Sequence, residues 1–241
     1  MMNYSKMPQK SKKKRLLVLG GTSSFAHEFI KSSLEDDFEV FATYRHSKPE
    51  LRIENVSYMS LDIAKTSSII RFLSDINGYR FTHVLNLIGS ESKIDKFPSE
   101  NSKDGDRYIQ TYVTNLIYLI DNMFGRKRVS DNCNIIIISS RSARFGSRDR
   151  YYAASKSALE GYVKSVGKFT KIQGKLNAVS VGLVKGSKMF LQMPKNLVFN
   201  HEKRSNNSLI ELNEFTNSIY SLMNDKSLSS GQVIYLGPQY E

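Results

Sequence analysis

Residues 15–30 read RLLVLGGTSSFAHEFI and combine three local signals of an α/β unit. Residues 16–19 are all apolar, which is typical of a parallel strand buried on both faces. The pair Gly20-Gly21 suits a tight turn, and the serines at 23 and 24 can cap the N–H groups of a following helix. Phe25, Phe29 and Ile30 would form the apolar stripe of that helix. The segment therefore predicts a strand, a turn and an amphipathic helix.

Short apolar runs and amphipathic stretches alternate along the rest of the chain. The expected further strands are residues 38–43, 56–61, 82–88, 134–139, 176–181 and 232–236, and the expected further helices are residues 67–77, 108–124, 151–172 and 209–224. Strands that alternate with helices pair in parallel through right-handed crossovers. The sequence therefore predicts an α/β fold of the Rossmann type, a doubly wound parallel sheet in a three-layer α/β/α sandwich. Ligands should bind at the carboxyl ends of the strands.

The chain of 241 residues has the size of one such domain, because open doubly wound sheets commonly reach this length without splitting. We expect residues 1–14, rich in lysine, to form a disordered basic tail and residues 15–241 to form a single Rossmann-fold domain. Residues 186–207 are rich in Lys, Asn and Ser and lack periodicity. Because they follow a strand, we expect a mobile substrate lid there, with a plain surface loop as the alternative.

Composition limits the classes of function. No apolar run approaches the roughly 20 residues that span a bilayer, and the basic start lacks the apolar region of a secretory signal, so we expect a cytoplasmic protein. Cys133 is the only cysteine, which excludes an intramolecular disulfide and a cysteine-based zinc site, and we expect no metal. The net charge of +12 attracts anionic partners. No nucleic-acid motif accompanies the lysines, so nucleic acid is not the favoured partner.

The strongest chemical signal is the run Tyr152-Ala153-Ala154-Ser155-Lys156 at the start of an expected helix. A spacing of four residues stacks Tyr152 and Lys156 on one helical face. A free tyrosine has a pKa of about 10, and a nearby ammonium favours the phenolate and so brings the hydroxyl closer to proton transfer near neutral pH. The pair therefore predicts a general acid/base.

Two serines end the expected strand before this helix, twelve and thirteen residues ahead of Tyr152. A serine hydroxyl there could donate to a substrate carbonyl oxygen together with the Tyr152 hydroxyl, which stabilises the negative charge that develops on that oxygen. Successive side chains of a strand point to opposite faces, so only one serine can face the site. We favour Ser140 over Ser139.

These motifs, together with Asn86-Leu87-Ile88-Gly89 and Asn115, resemble the short-chain dehydrogenase/reductase family, particularly its compact ketoreductase-like members. The resemblance covers nearly all of residues 16–236. It implies that Tyr152 is the general acid/base and that Lys156 holds the nicotinamide ribose and lowers the pKa of Tyr152. It also implies that Ser140 orients the carbonyl, that Asn115 supports a water that relays protons to Lys156, and that Asn86 and Gly89 lie beside the cofactor.

The turn after the first strand departs from the Thr-Gly-x-x-x-Gly-x-Gly pattern of that family. Gly21 keeps the tight turn, and the resemblance places Gly21, Ser23, Ser24 and Phe25 at the cofactor. Phe25 and His27 replace the second and third glycines. Phe25 could pack under the nicotinamide with a shifted turn, or it could impair cofactor binding. The family's catalytic set is intact, which favours retention of the family's chemistry: Asn115, Ser140, Tyr152 and Lys156.

Further cofactor contacts follow from position in the family pattern. Asp62, followed by Ile63, stands where the family has a carboxylate that accepts from the adenine, although a helix-capping role for Asp62 remains open. Residues 177–182 read NAVSVG and resemble the family's Asn-x-x-x-Pro-Gly with valine for proline. Gly182 is thus expected at the cofactor. Ser187 would replace a family threonine that contacts the nicotinamide amide or the pyrophosphate.

The end of the second strand, Ala42-Thr43-Tyr44-Arg45-His46, carries no acidic residue to accept from a ribose 2′-hydroxyl. Arg45 instead offers a fork of donors for a 2′-phosphate, with His46 and Lys48 adding positive charge. We therefore expect NADP(H) in preference to NAD(H).

The leading hypothesis is an NAD(P)H-dependent oxidoreductase that reduces a ketone on an acidic or phosphate-bearing substrate, such as a keto-sugar derivative or a carrier-bound 3-oxoacyl group. Basic residues near the lid and before the fifth strand motivate that substrate class: Arg126, Lys127, Arg128, Lys185, Lys188, Lys195, Lys203 and Arg204. The alternative is a non-catalytic relative whose basic surface binds an acidic partner or nucleic acid. We also expect a homodimer or homotetramer joined through helices 108–124 and 151–172, which the family pairs across a two-fold axis.

Overall fold

A computed structural model describes residues 14–46, 53–90, 102–125, 127–204 and 209–237. The basic tail predicted for residues 1–14 lies outside the described residues apart from Lys14, as do Lys48 and Arg126. The strands are β1 (Arg15–Leu19), β2 (Glu39–Tyr44), β3 (Val56–Ser60), β4 (Phe81–Asn86), β5 (Val129–Ser140), β6 (Lys175–Val181), β7 (Val184–Lys185), β8 (Ile210–Glu211) and β9 (Val233–Leu236). The helices are α1 (Ser24–Glu35), α2 (Thr66–Asp75), α3 (Ser102–Ile109), α4 (Asn115–Gly125), α5 (Ser142–Phe145), α6 (Arg150–Phe169), α7 (Lys188–Gln192), α8 (Lys195–Arg204) and α9 (Leu212–Asn224), with a π-helical turn (Gln110–Thr114) between α3 and α4.

Within the described residues the main sheet has seven strands in the order β3-β2-β1-β4-β5-β6-β9, and its pairings are parallel. The order reverses between β1 and β4, which is the switch point where open α/β sheets bind ligands beyond their carboxyl ends. The predicted Rossmann-type fold is confirmed. A second, small sheet pairs β7 with β8.

Two apolar cores flank the main sheet and complete the three layers. On one face α1 and α9 pack against the sheet through side chains such as Phe29, Phe215 and Ile219. On the other face α2, α4 and α6 pack through side chains that include Phe72 and Leu116. Along β5, odd-numbered residues point to the second face and even-numbered residues to the first, as the alternation of a strand requires.

Several element boundaries differ from the predicted ones. β5 begins at Val129 rather than at residue 134, and Cys133 is therefore a buried core residue inside it. α9 begins at Leu212 rather than at residue 209 because the preceding residues pair with β7 in the small sheet. The helix predicted for residues 108–124 begins six residues earlier, at Ser102, and its hydrogen-bond pattern changes over the π-helical turn.

The stretch predicted as a patternless lid, residues 186–207, contains α7 and α8 in its described part. The hydroxyl of Ser187 accepts a 3.2 Å hydrogen bond from the N–H of Phe190 and so caps the start of α7. The sequence lacks a long apolar stripe here because both helices are short. None of the helices in the described ranges is long and apolar enough to cross a membrane.

Candidate active site

A cavity of about 490 Å³ opens beyond the carboxyl ends of β5 and β6. Nine of the fifteen residues predicted for the site line it, namely Ser23, Ser24, Phe25, Gly89, Ser140, Tyr152, Lys156, Gly182 and Ser187. The other six, Gly21, Arg45, Asp62, Ile63, Asn86 and Asn115, do not belong to the lining within the described part of the chain. The predicted catalytic tyrosine, lysine and serine thus share one cavity with the start of α1.

Tyr152 and Lys156 lie on the first turns of α6. Asp149 caps this helix, because its carboxylate accepts a 2.9 Å hydrogen bond from the Tyr152 N–H. The Lys156 ammonium lies 5.7 Å from the centroid of the Tyr152 ring and donates a 2.8 Å hydrogen bond to the carbonyl oxygen of Ile138 on β5. The start of α6 and the end of β5 together fix the positions of Tyr152 and Lys156.

Lys156 is buried, with 6% of its surface exposed. Burial lowers the pKa of its ammonium from 10.5 to about 8, while the Glu160 carboxylate opposes this shift by raising the pKa. The ammonium therefore loses its proton far more readily than that of an exposed lysine.

The two serines at the end of β5 both line the cavity, but their hydroxyls have different partners. The Ser140 hydroxyl accepts a 3.2 Å hydrogen bond from the N–H of Ser142. The Ser139 hydroxyl donates a 2.7 Å hydrogen bond to the carboxylate of Glu160 on α6. The expectation that only one of the two serines can face the site is therefore wrong. Because Ser139 is engaged by Glu160 on the α6 side of the sheet, Ser140 remains the candidate for the substrate carbonyl.

Asn115 lies behind the cavity, at the first residue of α4. Its Nδ2 donates a 2.7 Å hydrogen bond to the carbonyl oxygen of Ile63, and its Oδ1 accepts a 2.8 Å hydrogen bond from Gln110 in the π-helical turn. The side chain thus holds the segment after β3 against the helix. In this structure both polar atoms of the amide have protein partners.

The turn between β1 and α1 is held against β2. The N–H of Gly20 donates to the Thr43 hydroxyl at 2.9 Å, and the N–H of Gly21 donates to the Thr43 carbonyl oxygen at 2.8 Å. A Cβ at Gly21 would lie 2.6 Å from the Cβ of Ala42, so only glycine permits this approach. The Ser23 hydroxyl then caps α1 by accepting from the Ala26 N–H at 3.1 Å.

Phe25 packs on α9 and also lines the cavity. Its ring packs 4.7 Å from the ring of Phe215 on α9, measured between centroids, and 7% of its surface is exposed. It therefore belongs to the core under α1 and α9 and shows only an edge to the cavity. Replacement of the family glycine leaves the glycine turn and the helix cap intact.

Arg45 and Asp62, predicted for opposite parts of the adenosine moiety, form an ion pair with 3.1 Å between Nε and Oδ1. They follow the adjacent strands β2 and β3, whose register pairs Tyr44 with Ser60. Asp62 also accepts a 3.2 Å hydrogen bond from the N–H of Ala64. It does not cap α2, which begins at Thr66 after Lys65, so the capping alternative is wrong. About half of the Arg45 side chain is exposed, so its guanidinium remains accessible beside the ion pair.

The remaining predicted cofactor residues shape the rim of the cavity. Asn86 is buried, and its Oδ1 accepts from the Ile88 N–H at 3.3 Å, which turns the chain at the end of β4. A Cβ at Gly89 would lie 3.0 Å from Nζ of Lys156, so glycine at this position leaves room for the ammonium. Gly182 lies at the rim after β6, and the Ser187 hydroxyl is engaged in capping α7.

Comparisons with solved structures support the fold. A mutant short-chain dehydrogenase/reductase from Serratia marcescens is 18% identical, with a TM-score of 0.79 over 92% of this chain and 96% of that one. A short-chain dehydrogenase family protein from Francisella tularensis is also 18% identical, with a TM-score of 0.77 over 93% and 97%. A family model described as Enoyl-(Acyl carrier protein) reductase matches residues 20–237. The chain belongs to the short-chain dehydrogenase/reductase family.

A further solved structure, BdcA in complex with NADPH, is 17% identical to this short-chain dehydrogenase/reductase, with a TM-score of 0.76 over 95% of this chain and 96% of that one. No curated protein matches the sequence. The described residues contain no group of three or more His, Cys, Asp or Glu side chains that could hold a metal ion.

The residues present in this dehydrogenase/reductase fit a nicotinamide dinucleotide. The first turn of α1, where Ser23, Ser24 and Phe25 line the cavity, presents the backbone N–H groups of a helix N-terminus, which suit a pyrophosphate. The Lys156 ammonium, which lines the cavity beside Gly89, suits a polar group of the cofactor. Gly182 and Ser187 close the opposite rim.

Two residues at this site were missed in the sequence. The Tyr108 hydroxyl donates to the carbonyl oxygen of Ser90, and burial raises its pKa above the ordinary value, with Tyr152 close enough to contribute in the same direction. Glu160 is buried behind Lys156. The spacing of four residues between Lys156 and Glu160 could have revealed the latter, whereas no local signal marks Tyr108.

Proposed function

We propose that the protein is an NADPH-dependent carbonyl reductase in which Tyr152 delivers the proton. The observation that carries the proposal is the presence of Tyr152, the Lys156 ammonium and Ser140 in a single cavity. The bound cofactor would supply the hydride to the carbonyl carbon. The protein's own residues would supply the proton and the stabilisation of charge.

The proposed proton transfer starts at the Tyr152 hydroxyl. As negative charge develops on the substrate oxygen, the hydroxyls of Tyr152 and Ser140 both donate hydrogen bonds to it. Tyr152 then gives up its proton and becomes a phenolate. The ammonium of Lys156, 5.7 Å from the ring centroid, favours that phenolate and so lowers the barrier to proton transfer.

The walls of the cavity suit a substrate whose ketone is attached to an apolar chain. They are formed largely by apolar side chains: Phe145, Leu183, Val184, Met189, Met193, Leu212 and Phe215. Methionine adapts readily to different apolar groups. Of the two substrate classes considered from the sequence, this lining favours a 3-oxoacyl group over a keto-sugar derivative.

The basic residues near the cavity suit an anionic carrier of that acyl group. Lys188 lies at the rim and Lys195 stands on the adjacent α8, whereas Lys185 of β7 is paired with Glu211 at 2.8 Å. An acidic carrier protein or a phosphate-bearing thioester would be attracted by these charges and by the net charge of +12. Lys127 and Arg128 precede β5, and Arg128 is buried rather than available on the surface.

A preference for NADP(H) over NAD(H) rests on Arg45. Its guanidinium stands at the end of β2 with half of the side chain exposed, where it can pair with a 2′-phosphate. The NADPH complex of BdcA gives limited support, because that protein is only 17% identical. The alternative, a non-catalytic binding protein, is not favoured, since Tyr152, Lys156 and Ser140, the side chains proposed for catalysis, line one cavity.

Two measurements on the purified full chain test the proposal. The first is NADPH affinity by quenching of protein fluorescence, and the second is consumption of NADPH with a 3-oxoacyl thioester, a 3-oxoacyl group on an acidic carrier protein, and a keto-sugar phosphate. We expect saturable NADPH binding and the highest kcat/KM with the carrier-bound ketone. No NADPH binding, combined with tight and salt-sensitive RNA binding, would instead support the non-catalytic alternative.

A further inference from the structure

Glu160 is a buried carboxylate that the proposed proton transfer does not use. It lies on α6, one helical turn after Lys156, and 5% of its surface is exposed. Side chains four residues apart on a helix are neighbours. Glu160 therefore stands directly behind the lysine, on the side away from the cavity mouth.

A buried polar cluster surrounds this carboxylate. The Ser139 hydroxyl donates a 2.7 Å hydrogen bond to Oε1 of Glu160. Ser180 of β6 is the cross-strand neighbour of Ser139 and faces the same side of the sheet. Its hydroxyl is buried and has no hydrogen-bond partner among the described residues. Three polar side chains thus lie between α6 and the strands, where the core is otherwise apolar.

Burial of a carboxylate is unfavourable unless a charge or hydrogen bonds compensate for it. The same holds for the Lys156 ammonium, which is equally buried. The described structure shows no Lys156–Glu160 ion pair within 4 Å. Lys156 donates to the Ile138 carbonyl oxygen and Glu160 accepts from Ser139, so the two opposite charges act on each other across one buried helical turn. Glu160 also raises the pKa of Lys156 against the opposing effect of burial.

We propose that Glu160 is a positioning residue of the active site: its carboxylate, oriented by Ser139, keeps Lys156 in the ammonium form beside Tyr152. The proposal rests on the proposed reductase function for its effect on rate. Its effect on the charge of Lys156 can be measured without any activity.

Few other charged or titratable groups face Lys156 from the elements that pack against α6. β5 and β6 contribute serine hydroxyls and apolar side chains to this face, and the charged side chains of α3 are exposed. The groups that remain are Tyr108 of α3, Tyr112 of the π-helical turn, Arg141 after β5, Arg144 of α5 and Tyr235 of β9. None of these is a carboxylate. Two carboxylates also stand near α6: Asp149 caps the helix at the Tyr152 N–H and lines the cavity, and Asp121 of α4 accepts a hydrogen bond from the Tyr162 hydroxyl. Of the three, Glu160 is the buried one that stands one helical turn from Lys156.

The consequence is a shift in the alkaline limit of activity. Tyr152 transfers its proton efficiently only while Lys156 is charged, because the ammonium stabilises the phenolate. In Glu160→Gln the negative charge is lost, and the lysine gives up its proton at a lower pH. Since the Glu160 charge raises the Lys156 pKa against the effect of burial, we expect the Lys156 pKa to fall in this variant.

The experiment measures the pKa of Lys156 by NMR on the full chain with isotope-labelled lysine side chains, and the pH profile of kcat/KM in parallel. Lys156→Arg identifies the signal. We expect Glu160→Gln to lower the Lys156 pKa and to move the alkaline limb of the rate profile by the same amount, whereas Glu160→Asp retains much of the parental behaviour. Glu214→Gln, on the exposed side of α9, is the matched control and should change neither quantity.

An unchanged or raised Lys156 pKa in Glu160→Gln overturns the proposal, even if the variant is less active. Should that variant fail to fold, Ser139→Ala decides the question. This variant removes only the hydrogen bond that orients Glu160, and we expect it to lower the Lys156 pKa by a smaller amount. An unchanged Lys156 pKa in Ser139→Ala would also overturn the proposal. The parent protein could lack reductase activity while Glu160→Gln still lowers the Lys156 pKa relative to the parent. That result would refute the proposed function but leave the charge coupling between Glu160 and Lys156 standing.

Discussion

The ammonium of Lys156 lies 5.7 Å from the centroid of the Tyr152 ring while it donates a 2.8 Å hydrogen bond to the carbonyl oxygen of Ile138. The bond to β5 fixes the lysine, and the helical spacing fixes the tyrosine relative to it. The end of β5 also carries Ser140. The proposed proton donor, the ammonium and the second hydroxyl are therefore positioned by only two elements, α6 and β5. The predictions below test this arrangement and the fold that supports it.

Gly89 should be required for activity rather than for folding. A Cβ at this position would lie 3.0 Å from Nζ of Lys156, the flexible end of a long side chain. We expect Gly89→Ala to displace the ammonium and to lower kcat/KM at least about tenfold, with little change in Tm. The matched control is Gly161→Ala, also affecting α6, where an added Cβ meets open space. It should raise stability by about 0.5–1 kcal/mol and leave the rate unchanged. Equal rates in both variants would contradict the role of Gly89.

Arg45 should discriminate between the two nicotinamide cofactors. A hydrogen bond to a phosphate is typically worth about 1.5–3 kcal/mol, so Arg45→Ala should weaken NADPH binding by roughly tenfold or more and NADH binding much less. Titration by fluorescence quenching measures both affinities. Arg71→Ala, on the exposed side of α2, is the control. Equal losses for both cofactors would mean that Arg45 acts only through its ion pair with Asp62.

The partly buried His83 should make the protein sensitive to mild acid. Burial lowers its pKa from 6.5 to about 4, and the charge of Lys14 acts in the same direction. Between pH 6.5 and about 4 the unfolded chain binds a proton at His83 and the folded protein does not. The free energy of unfolding is therefore highest above pH 6.5 and falls as the pH approaches 4. At about 1.4 kcal/mol for each unit of pKa difference, the loss reaches roughly 3 kcal/mol. Urea unfolding at several pH values measures it, and His83→Gln should flatten this dependence. A parent protein whose stability stays constant over that range would refute the prediction.

The protein should assemble into a homodimer or homotetramer through α4 and α6. Less apolar surface is available for an interface than the sequence suggests, because Leu116, Leu119, Ile120 and Met123 are buried in the core. Of the α4 side chains described, Tyr118 remains 40% exposed. Sedimentation at micromolar concentration measures the mass, and raised salt should tighten the oligomer by screening the net charge. A 27.5 kDa monomer at both low and moderate salt would contradict assembly.

Much of this fold could be predicted because its strands carry strong local signals. The apolar runs before Gly20 and before Ser139 mark buried parallel strands, and the spacing of Tyr152 and Lys156 places them on one helical face. The small sheet of β7 and β8 was missed, since two-residue strands leave no periodicity. The helices of the lid region were missed for a similar reason.

The contacts that could not be predicted depend on tertiary structure. Arg45 and Asp62 meet only because β2 and β3 are adjacent and in register. The π-helical turn is stabilised by the bond between Gln110 and Asn115, and Asn115 in turn holds the carbonyl of Ile63, 52 residues earlier in the chain. Phe25 could be placed only once α9 was known to pack on α1, where Phe215 meets its ring.

Turnover of Tyr152→Phe is the most direct test of the central claim that Tyr152 is the proton donor. The substitution removes one hydroxyl, and a general acid that also stabilises the developing charge is commonly worth about 10²–10⁴ in rate. Tyr151→Phe is the control, because the Tyr151 ring packs against Gly105 of α3 instead. With Tm and NADPH affinity retained, we predict a loss of turnover within that range for Tyr152→Phe and a near-parental rate for Tyr151→Phe. A Tyr152→Phe protein that keeps more than roughly a tenth of the parental turnover would contradict the assignment.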